Sequence, residues 1–289
     1  MASDRLKMHA SPKLGEGRMV LAFSGWMDGG DVSTGTVEWL VDALGAHKVA
    51  EIDPEGFYIY NFPGTMEISA LFRPHTKIEE GTITEFKPPS NTFYCDGENK
   101  LLLFSGKEPN LNWGDFADCI FTYAGQVGIS TAYFVGSFAG MVPHTREPRL
   151  TSTVSDESMK PTLAKFGVTF ATYEGPASFS TYLMAHAKQY GFSMASLVAE
   201  IPPYIEGTNP RSIEAMMKKL TAILELRLDT EDLRRVADEW EKRLNEALQS
   251  KEDLTNYISK LEEDYDNEVF DTQMGDLKEW LQKQGIRVD

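Results

Sequence analysis

The sequence is poor in cysteine, in histidine and in long apolar runs, and each shortage narrows what the protein can be. Its two cysteines, Cys95 and Cys119, have no neighbouring Cys or His, a pattern that favours buried thiols over a disulfide. The histidines are scattered and none forms a His-x-x-x-His pair, so no metal site is predicted. No apolar run approaches the roughly 18 residues of a membrane helix, so no membrane span is predicted.

Basic residues are also in short supply. The chain has 28 Lys and Arg against 44 Asp and Glu, a formal net charge of −16, whereas binding a phosphate backbone needs clustered basic side chains. Nucleic acid and anionic membrane surfaces are therefore not expected as partners. Residues 1–18 are polar and lack the apolar core of a secretory signal, so we expect a cytoplasmic protein.

The chain is organised around a glycine-rich loop between an apolar run and a helical pattern. Met19 to Phe23 are typical of a buried strand, and apolar residues recur at helical spacing from Val32 to Gly45. Asp28 or Asp31 is placed to cap the helix with its carboxylate. Such a helix terminus is a potential anion site, although a simple tight turn explains the glycines as well. The glycines match neither of the nucleotide-binding patterns Gly-x-Gly-x-x-Gly and Gly-x-x-x-x-Gly-Lys-Ser/Thr, so no cofactor is predicted.

Strands and helices go on alternating to about Leu226, which predicts an α/β domain. Phe57 to Tyr60 is predicted as a short extra strand. The proline-punctuated region around Ile78 to Phe86 contains β formers and is predicted to be a hairpin or an edge insertion. Pro210 suits the first turn of a later helix and Asn209 suits its cap.

A second glycine loop, Gly136 to Gly140, is predicted to follow the buried strand Thr131 to Val135. In an open α/β sheet, ligands bind at loops that follow the carboxyl ends of strands. His144, Arg146 and Glu174 also lie in loops after predicted strands. All of these loops can therefore converge on one pocket.

The candidate ligand or interface site combines the two glycine loops with the polar residues near them. Its residues are Gly25, Trp26, Asp28, Gly29, Gly30, Asp31, Ser137, His144, Arg146 and Glu174. Arg146 can grip a phosphate or carboxylate bidentately, but a surface or inter-subunit ion pair is the slightly favoured explanation. Ser137 directly follows Gly136, whereas a nucleophile elbow requires Gly-x-Ser-x-Gly. A triad of Asp28, His144 and Ser137 is conceivable, but nothing in the sequence requires it, and no catalytic residue is predicted.

From about Asp229 the composition changes and the chain is predicted to be helical. Residues 230–289 contain no proline, and two apolar stripes recur at helical spacing, the first from Leu233 to Leu248 and the second from Leu254 to Tyr265. Each stripe must pack against its own domain, a second subunit or a partner. Glu263 to Asp271 concentrates negative charge, most simply as a solvated face.

Five short motifs occur in one order along the chain. They are Gly25 to Gly30, Lys107 to Asn110 with Trp113, Val142 to Arg146, Tyr173 to Pro176, and Ile201 to Tyr204. This set resembles the proteasome assembly chaperone 2 family, and more closely its actinobacterial branch, over about Met19 to Leu228. The resemblance implies a three-layer α/β/α domain similar to nucleoside phosphorylases and related hydrolases, usually in oligomers such as trimers. It also implies a cytoplasmic protein whose eukaryotic and archaeal relatives help to assemble proteasome α rings.

These observations divide the chain into a polar segment 1–18, an α/β/α domain 19–228 and an acidic helical region 229–289. The leading hypothesis is a non-catalytic, homo-oligomeric assembly chaperone or adaptor with a protein partner such as proteasome subunits. The alternative is a protein that binds an anion or nucleoside-like small molecule, or a hydrolase, using the two glycine loops. Related assembly factors dock through a terminal hydrophobic-Tyr-x tail, whereas this sequence reads Arg287-Val288-Asp289, so no such tail is expected.

Overall fold

The computed structural model describes residues 4–283, so Arg287 to Asp289, where no docking tail is expected, lie outside the described residues. The strands are β1 (Leu6–Met8), β2 (Gly17–Ser24), β3 (His47–Ile52), β4 (His75–Glu79), β5 (Thr82–Lys87), β6 (Thr92–Asp96), β7 (Leu101–Lys107), β8 (Ile129–Ala139), β9 (Leu150–Ser152), β10 (Thr169–Phe170) and β11 (Ser193–Ile201). The helices are α1 (Val32–Leu44), α2 (Met66–Ala70), α3 (Trp113–Gln126), α4 (Lys160–Ala164), α5 (Phe179–His186), α6 (Pro210–Ile223), α7 (Glu231–Leu248) and α8 (Glu252–Lys283).

Nine of the strands form one mixed sheet in the order β1-β3-β6-β7-β2-β8-β11-β9-β10. The central strands β7, β2, β8 and β11 are parallel, and β6 pairs antiparallel with both β3 and β7. The remaining two strands, β4 and β5, pair only with each other as a hairpin. The prediction of a hairpin around Ile78 to Phe86 is therefore confirmed.

Helices cover both faces of the sheet, which confirms the predicted three-layer α/β/α architecture. The side chains of β2 alternate between the two layers because successive residues of a strand point to opposite faces. Met19, Leu21 and Phe23 pack in a core with α3 and α5. Val20 and Ala22 pack in the other core with α1 and α6. Both faces of β2 are apolar for this reason, as in other central parallel strands.

The cysteines and the lengths of the helices agree with the composition. Cys95 and Cys119 are both buried, as predicted, and no disulfide joins them. Within residues 4–283, no helix combines the length and the apolar character needed to cross a bilayer.

The aromatic segment Phe57 to Tyr60 is not a strand, so that prediction was wrong. Phe57 and Tyr58 are buried by packing against other parts of the chain, although their backbone forms no strand. The Tyr58 hydroxyl lies 2.6 Å from Asn91 Oδ1 and 2.7 Å from the carbonyl oxygen of Lys107. A buried aromatic in a loop has the same local sequence signal as one in a strand.

The prediction of a second glycine loop at Gly136 to Gly140 was also wrong, because β8 continues to Ala139 and only Gly140 lies beyond it. β11 pairs with β8 along this whole length, and its residue Ile201 is opposite Ala139. Gly136 makes room rather than a turn, since a Cβ there would lie 2.7 Å from the ring of Phe134. Ser137 is therefore a strand residue.

The predicted helical region after Asp229 is confirmed as α7 and α8. The apolar stripe of α7 packs on the chain's own α/β domain, where Leu233 joins the core that contains α1 and α6. Ala237, Leu248, Ile258 and Leu261 are buried as well. Both helices therefore fold back on the rest of the chain.

We expect a chain truncated at Asp229 to keep the α/β domain folded but with a lower midpoint of thermal unfolding. Burial of a leucine such as Leu233 contributes about 1.5–3 kcal/mol, which corresponds to a loss of roughly 5–10 °C in a domain of this size. Circular dichroism during heating measures both the fold and the midpoint. A chain that ends at Leu248 is the control, because it keeps α7 and lacks only α8. If the chain truncated at Asp229 were wholly unfolded while the chain that ends at Leu248 stayed folded, α7 would be shown to complete the core.

Candidate functional site

Asp28 occupies the amino terminus of α1 with its own carboxylate. Its Oδ1 accepts hydrogen bonds from the backbone N–H groups of Ser33 (2.8 Å) and Thr34 (3.1 Å), and its Oδ2 accepts one from the Thr34 hydroxyl (2.8 Å). The chain reaches this geometry because Gly30 (φ 65°) and Asp31 (φ 53°) are both left-handed. The predicted carboxylate cap is therefore Asp28, and the position that a bound anion would take is filled from within the chain.

Burial raises the pKa of Asp28 to about 6. The hydrogen bonds from Thr34 and Ser33 favour the charged form and oppose this shift, while the charge of Asp31 adds to it. Desolvation is the largest of these effects, as expected for a carboxyl group that faces the interior. Asp28 therefore changes its protonation state in mildly acidic solution.

Ser137 fastens the same loop to the centre of the sheet. Its hydroxyl donates to the carbonyl oxygen of Gly29 (2.6 Å), and its backbone N–H donates to the carbonyl oxygen of Met27 (2.9 Å). The side chain is fully buried. The structure thus brings Asp28, Gly29 and Ser137 together, with the serine hydroxyl bonded to backbone.

Glu108 holds the other end of the loop, a role that the sequence analysis missed. Its carboxylate accepts from the backbone N–H of Trp26 (2.9 Å) and from that of Phe179 at the start of α5 (2.8 Å). Gly25 has a φ of 142°, and a Cβ there would lie 3.0 Å from the Glu108 side chain. Glu108 stood in the sequence only as part of the motif Lys107 to Asn110, and nothing local linked it to α5.

The loop is also tied to the start of α6. The backbone N–H of Asn209 donates to the carbonyl oxygen of Gly30 (2.8 Å), and the Thr208 hydroxyl donates to the Asp31 carboxylate. Asn209 in turn caps α6, as predicted, by accepting from the backbone N–H of Ser212 (3.0 Å). Residues 25–31 therefore join β8, α1, α5 and α6.

His144 lies apart from Ser137 and is held by two other side chains. Its Nδ1 lies 2.7 Å from the hydroxyl oxygen of Tyr204, and its Nε2 lies 3.0 Å from Oδ1 of Asn245 in α7. An amide oxygen only accepts, so Nε2 carries the proton and Nδ1 accepts from Tyr204. With both ring nitrogens engaged, His144 connects its loop to α7 and does not contact Ser137 as a triad would require.

Arg146 pairs with α8 of the same chain. Its Nε and one terminal nitrogen each donate to a carboxylate oxygen of Asp266 at 2.8 Å, and the other terminal nitrogen lies 3.5 Å from Glu262. The guanidinium holds the pKa of the Asp266 carboxyl below its usual range. The bidentate geometry expected for a bound anion is thus made with an internal carboxylate.

Neighbours of Arg146 make further bonds to α8, and we call residues 144–149 with their α8 partners the clamp. Thr145 donates to Glu262, and the Tyr265 hydroxyl donates to the carbonyl oxygen of Glu147 (2.9 Å). Arg149 pairs with Glu268 (2.6 Å) and lies over the ring of Tyr265. The clamp accounts for part of the acidic charge predicted on this helix.

The remaining candidate residues lie near the surface. Glu174 is exposed in the segment 171–178, which connects β10 to α5. The indole of Trp26 is 67% exposed. Within residues 4–283 the Glu174 side chain forms no hydrogen bond or ion pair, and any ligand role of the ten residues stays a prediction. Among the described residues, no group of three or more His, Cys, Asp or Glu side chains is arranged to hold a metal ion.

We expect Asp28→Asn to change how stability depends on pH. The pKa of Asp28 is about 6 in the folded protein, above its ordinary value of 3.8, so the folded state binds this proton more tightly. The stability that protonation contributes is present below about pH 4 and is lost as the pH rises through 6. Between pH 4.5 and 7.5 the wild type should therefore lose roughly 1–3 kcal/mol relative to Asp28→Asn, which keeps an oxygen acceptor.

Urea unfolding of both proteins at the two pH values measures this difference. Asp264→Asn is the charge-matched control, because Asp264 is exposed in α8 and its charge is not among those that shift the pKa of Asp28. If the stability of the wild type and of Asp28→Asn changed equally with pH, the raised pKa of Asp28 would be contradicted.

Arg146→Ala should leave the fold intact, because a partly exposed ion pair contributes little to global stability. We expect the midpoint of thermal unfolding to move by less than about 2 °C. Amide exchange in α8 around Asp266 should become faster. Asp266→Ala should reproduce that local effect, and the double variant should add nothing to it. Loss of an oligomer in Arg146→Ala alone would instead place the arginine in an interface between subunits.

Solved structures from actinobacteria share this fold. A Mycobacterium tuberculosis protein of unknown function, Rv2714, superimposes with a TM-score of 0.81 at 21% identity, covering 95% of this chain and 92% of its own. The M. tuberculosis proteasome-assembly chaperone homologue Rv2125 gives 0.72 at 24%, covering 83% and 99%. A PAC2 family protein from Streptomyces avermitilis gives 0.70 at 24%, covering 83% and 98%.

The sequence itself also identifies a family. No curated protein matches the chain at a significant level. The model of the PAC2 family matches residues 22–248, which span β2 through α7. This range contains the loop 25–31, Glu108, Ser137 and the residues of the clamp that precede α8. The chain therefore belongs to the PAC2 family.

Proposed function

We propose that the protein is a non-catalytic assembly chaperone or adaptor that works as a cytoplasmic homo-oligomer, a trimer or similar. Its protein partners would be of the kind that the name of Rv2125, a proteasome-assembly chaperone homologue, suggests, such as proteasome subunits. The observation that carries the proposal is an exposed apolar surface on residues 60–87, which we call the arm. The arm contains α2 and the hairpin of β4 and β5.

One face of the hairpin is apolar and faces solvent. Ile78 is paired with Ile83, and Thr76 is paired with Phe86. The register shifts between Lys77 and Ile78, and this bulge lets Ile83 share a face with Phe86 although the two are three residues apart. Ile78, Ile83 and Phe86 are 60%, 65% and 61% exposed. A two-stranded hairpin is marginally stable in water unless its apolar face is covered. The face therefore suits contact with another protein.

The opposite face of the hairpin is polar and suits solvent. Lys77 is paired with Glu85 across the strands, and the Lys87 ammonium forms an ion pair with Glu85. Lys77 forms another with Glu79 (2.7 Å). The hairpin is thus amphipathic, and its apolar side chains are gathered on one side.

Further large apolar side chains are exposed elsewhere in the arm. They are Tyr60, Phe62, Met66, Ile68 and Leu71. Phe62 stacks on Phe72 with the ring centroids 4.7 Å apart, which ties the start of the arm to the end of α2. Clustered exposed apolar side chains are typical of protein interaction sites.

The acidic helices α7 and α8 would add charge to such an interface. The clamp uses some of the acids of α8, and other acids of the helix are exposed, among them Glu252, Asp253, Glu263 and Asp264. Charge of one sign favours a partner with a basic surface and speeds its association.

The alternative, an anion or nucleoside-like small molecule or a hydrolysis reaction at the two glycine loops, has less support. The N–H groups at the start of α1 are bonded to Asp28, and the Ser137 hydroxyl is bonded to Gly29. A ligand at this site would have to displace internal hydrogen bonds.

The triple variant Ile78→Ser, Ile83→Ser, Phe86→Ser tests the proposal. We expect the wild type to be oligomeric by light scattering and to recover a stoichiometric protein from native-cell lysate, identified by mass spectrometry. The triple variant should lose the oligomer, the partner or both, because its apolar face is gone. The matched control, His75→Gln, Lys77→Gln, Lys87→Gln, alters the opposite face and should keep both. A wild type that is monomeric and recovers no partner would contradict the proposal.

A further inference from the structure

A cleft of about 570 Å³ lies beside α1, and no residue of the loop 25–31 or of the arm's apolar face lines it, although Thr34, which bonds to Asp28, does. The floor of the cleft is formed by the sheet, with Ser24, Tyr94 and Lys107 facing it. One wall is the flank of α1, and the other is the segment that contains Ser90, between the arm and β6. Its volume lies within the range of about 300–1,000 Å³ that is typical of sites for small molecules.

The position of the cleft in the sheet favours ligand binding. Ser24 and Lys107 are paired at the carboxyl ends of the parallel strands β2 and β7. The helices that follow these strands, α1 and α3, pack in different cores on opposite faces of the sheet. Divergent connections of this kind open a crevice at the strand ends, where α/β proteins bind ligands.

The cleft contains unmatched charges of both signs. Across residues 4–283, Lys107 forms no ion pair although its side chain is partly buried. Glu38 and Asp42 face the cleft from α1, one helical turn apart, and neither has a basic partner in that part of the chain. Like charges at this spacing destabilise a helix.

The environment of Glu38 shows the cost of this arrangement. Burial raises the pKa of the Glu38 carboxyl, and the charges of Asp31 and Asp42 raise it further. A positive charge placed between Glu38 and Asp42 would relieve the repulsion, and a negative charge beside Lys107 would pair its ammonium. The hydroxyls of Ser24 and Ser90 offer hydrogen bonds between these two ends.

We propose that the cleft binds a small zwitterion of the amino acid or dipeptide class. The carboxylate of the ligand pairs with Lys107, and its ammonium pairs with Glu38 and Asp42. The site is independent of the proposed protein partners, since it uses neither the apolar face of the arm nor the clamp.

Isothermal titration of the purified full chain with the twenty L-amino acids and a set of dipeptides tests the proposal. We expect saturable binding of at least one of them. Lys107→Met should weaken that binding roughly tenfold or more, and so should the pair Glu38→Gln, Asp42→Asn. The controls change charge elsewhere: Lys165→Met, and the pair Glu263→Gln, Asp264→Asn in α8. Both controls should bind as the wild type does.

Ligand analogues check each end separately. An N-acetylated form lacks the ammonium and an amide form lacks the carboxylate, so both should bind at least about tenfold more weakly than the parent compound. Ser90→Trp blocks the cleft without changing a charge and should abolish binding, with circular dichroism confirming the fold of each variant. The proposal is overturned if no compound binds, if Lys107→Met binds normally, or if the amide form binds as well as the acid.

Discussion

The carboxylate of Asp28 at the amino terminus of α1 is the interaction on which the rest of this structure depends. It satisfies two backbone N–H groups of the helix and a threonine hydroxyl, and it does so from a position five residues before Ser33. To place it there, the chain must turn through two successive left-handed residues. That turn presents the carbonyl oxygens of Gly29 and Gly30 to Ser137 and Asn209. The central strands and the starts of two helices are therefore held in register by one short loop.

The same solution recurs at two other places, where the protein supplies its own anion. Glu108 satisfies the first N–H group of α5, and Asp266 takes the bidentate position on Arg146. Groups that would recognise a phosphate or carboxylate are in each case bonded to a carboxylate of the chain. These bonds fix the relative positions of the elements that they join. This arrangement fits a protein that presents surfaces, such as the arm and the acidic helices, to other proteins.

Much of the fold followed from local patterns, whereas the site depended on long-range contacts. The apolar run Met19 to Phe23 predicted β2, because a strand buried on both faces is apolar throughout. The spacing after Val32 predicted α1, because a helix buried on one face is apolar at every third or fourth residue. The sequence offered Asp28 and Asp31 as caps but not the choice between them, which the left-handed turn decides. Glu108 reaches an N–H group 71 residues later, and His144 reaches Asn245 across 101 residues, and no local spacing encodes either contact. β8 continues past Gly136 because of another long-range contact, the ladder of hydrogen bonds that β11 forms beside it.

The N–H groups at loop 25–31 are bonded to carboxylates of the chain, and we expect the loop to act as a structural joint rather than an anion site. The most direct measurement is a nuclear magnetic resonance titration of the ¹⁵N-labelled protein with inorganic phosphate at constant pH and ionic strength. We expect the amide signals of Trp26, Ser33, Thr34 and Phe179 not to move, because each N–H group is already bonded to Asp28 or Glu108. A saturable shift of these four signals together would contradict it.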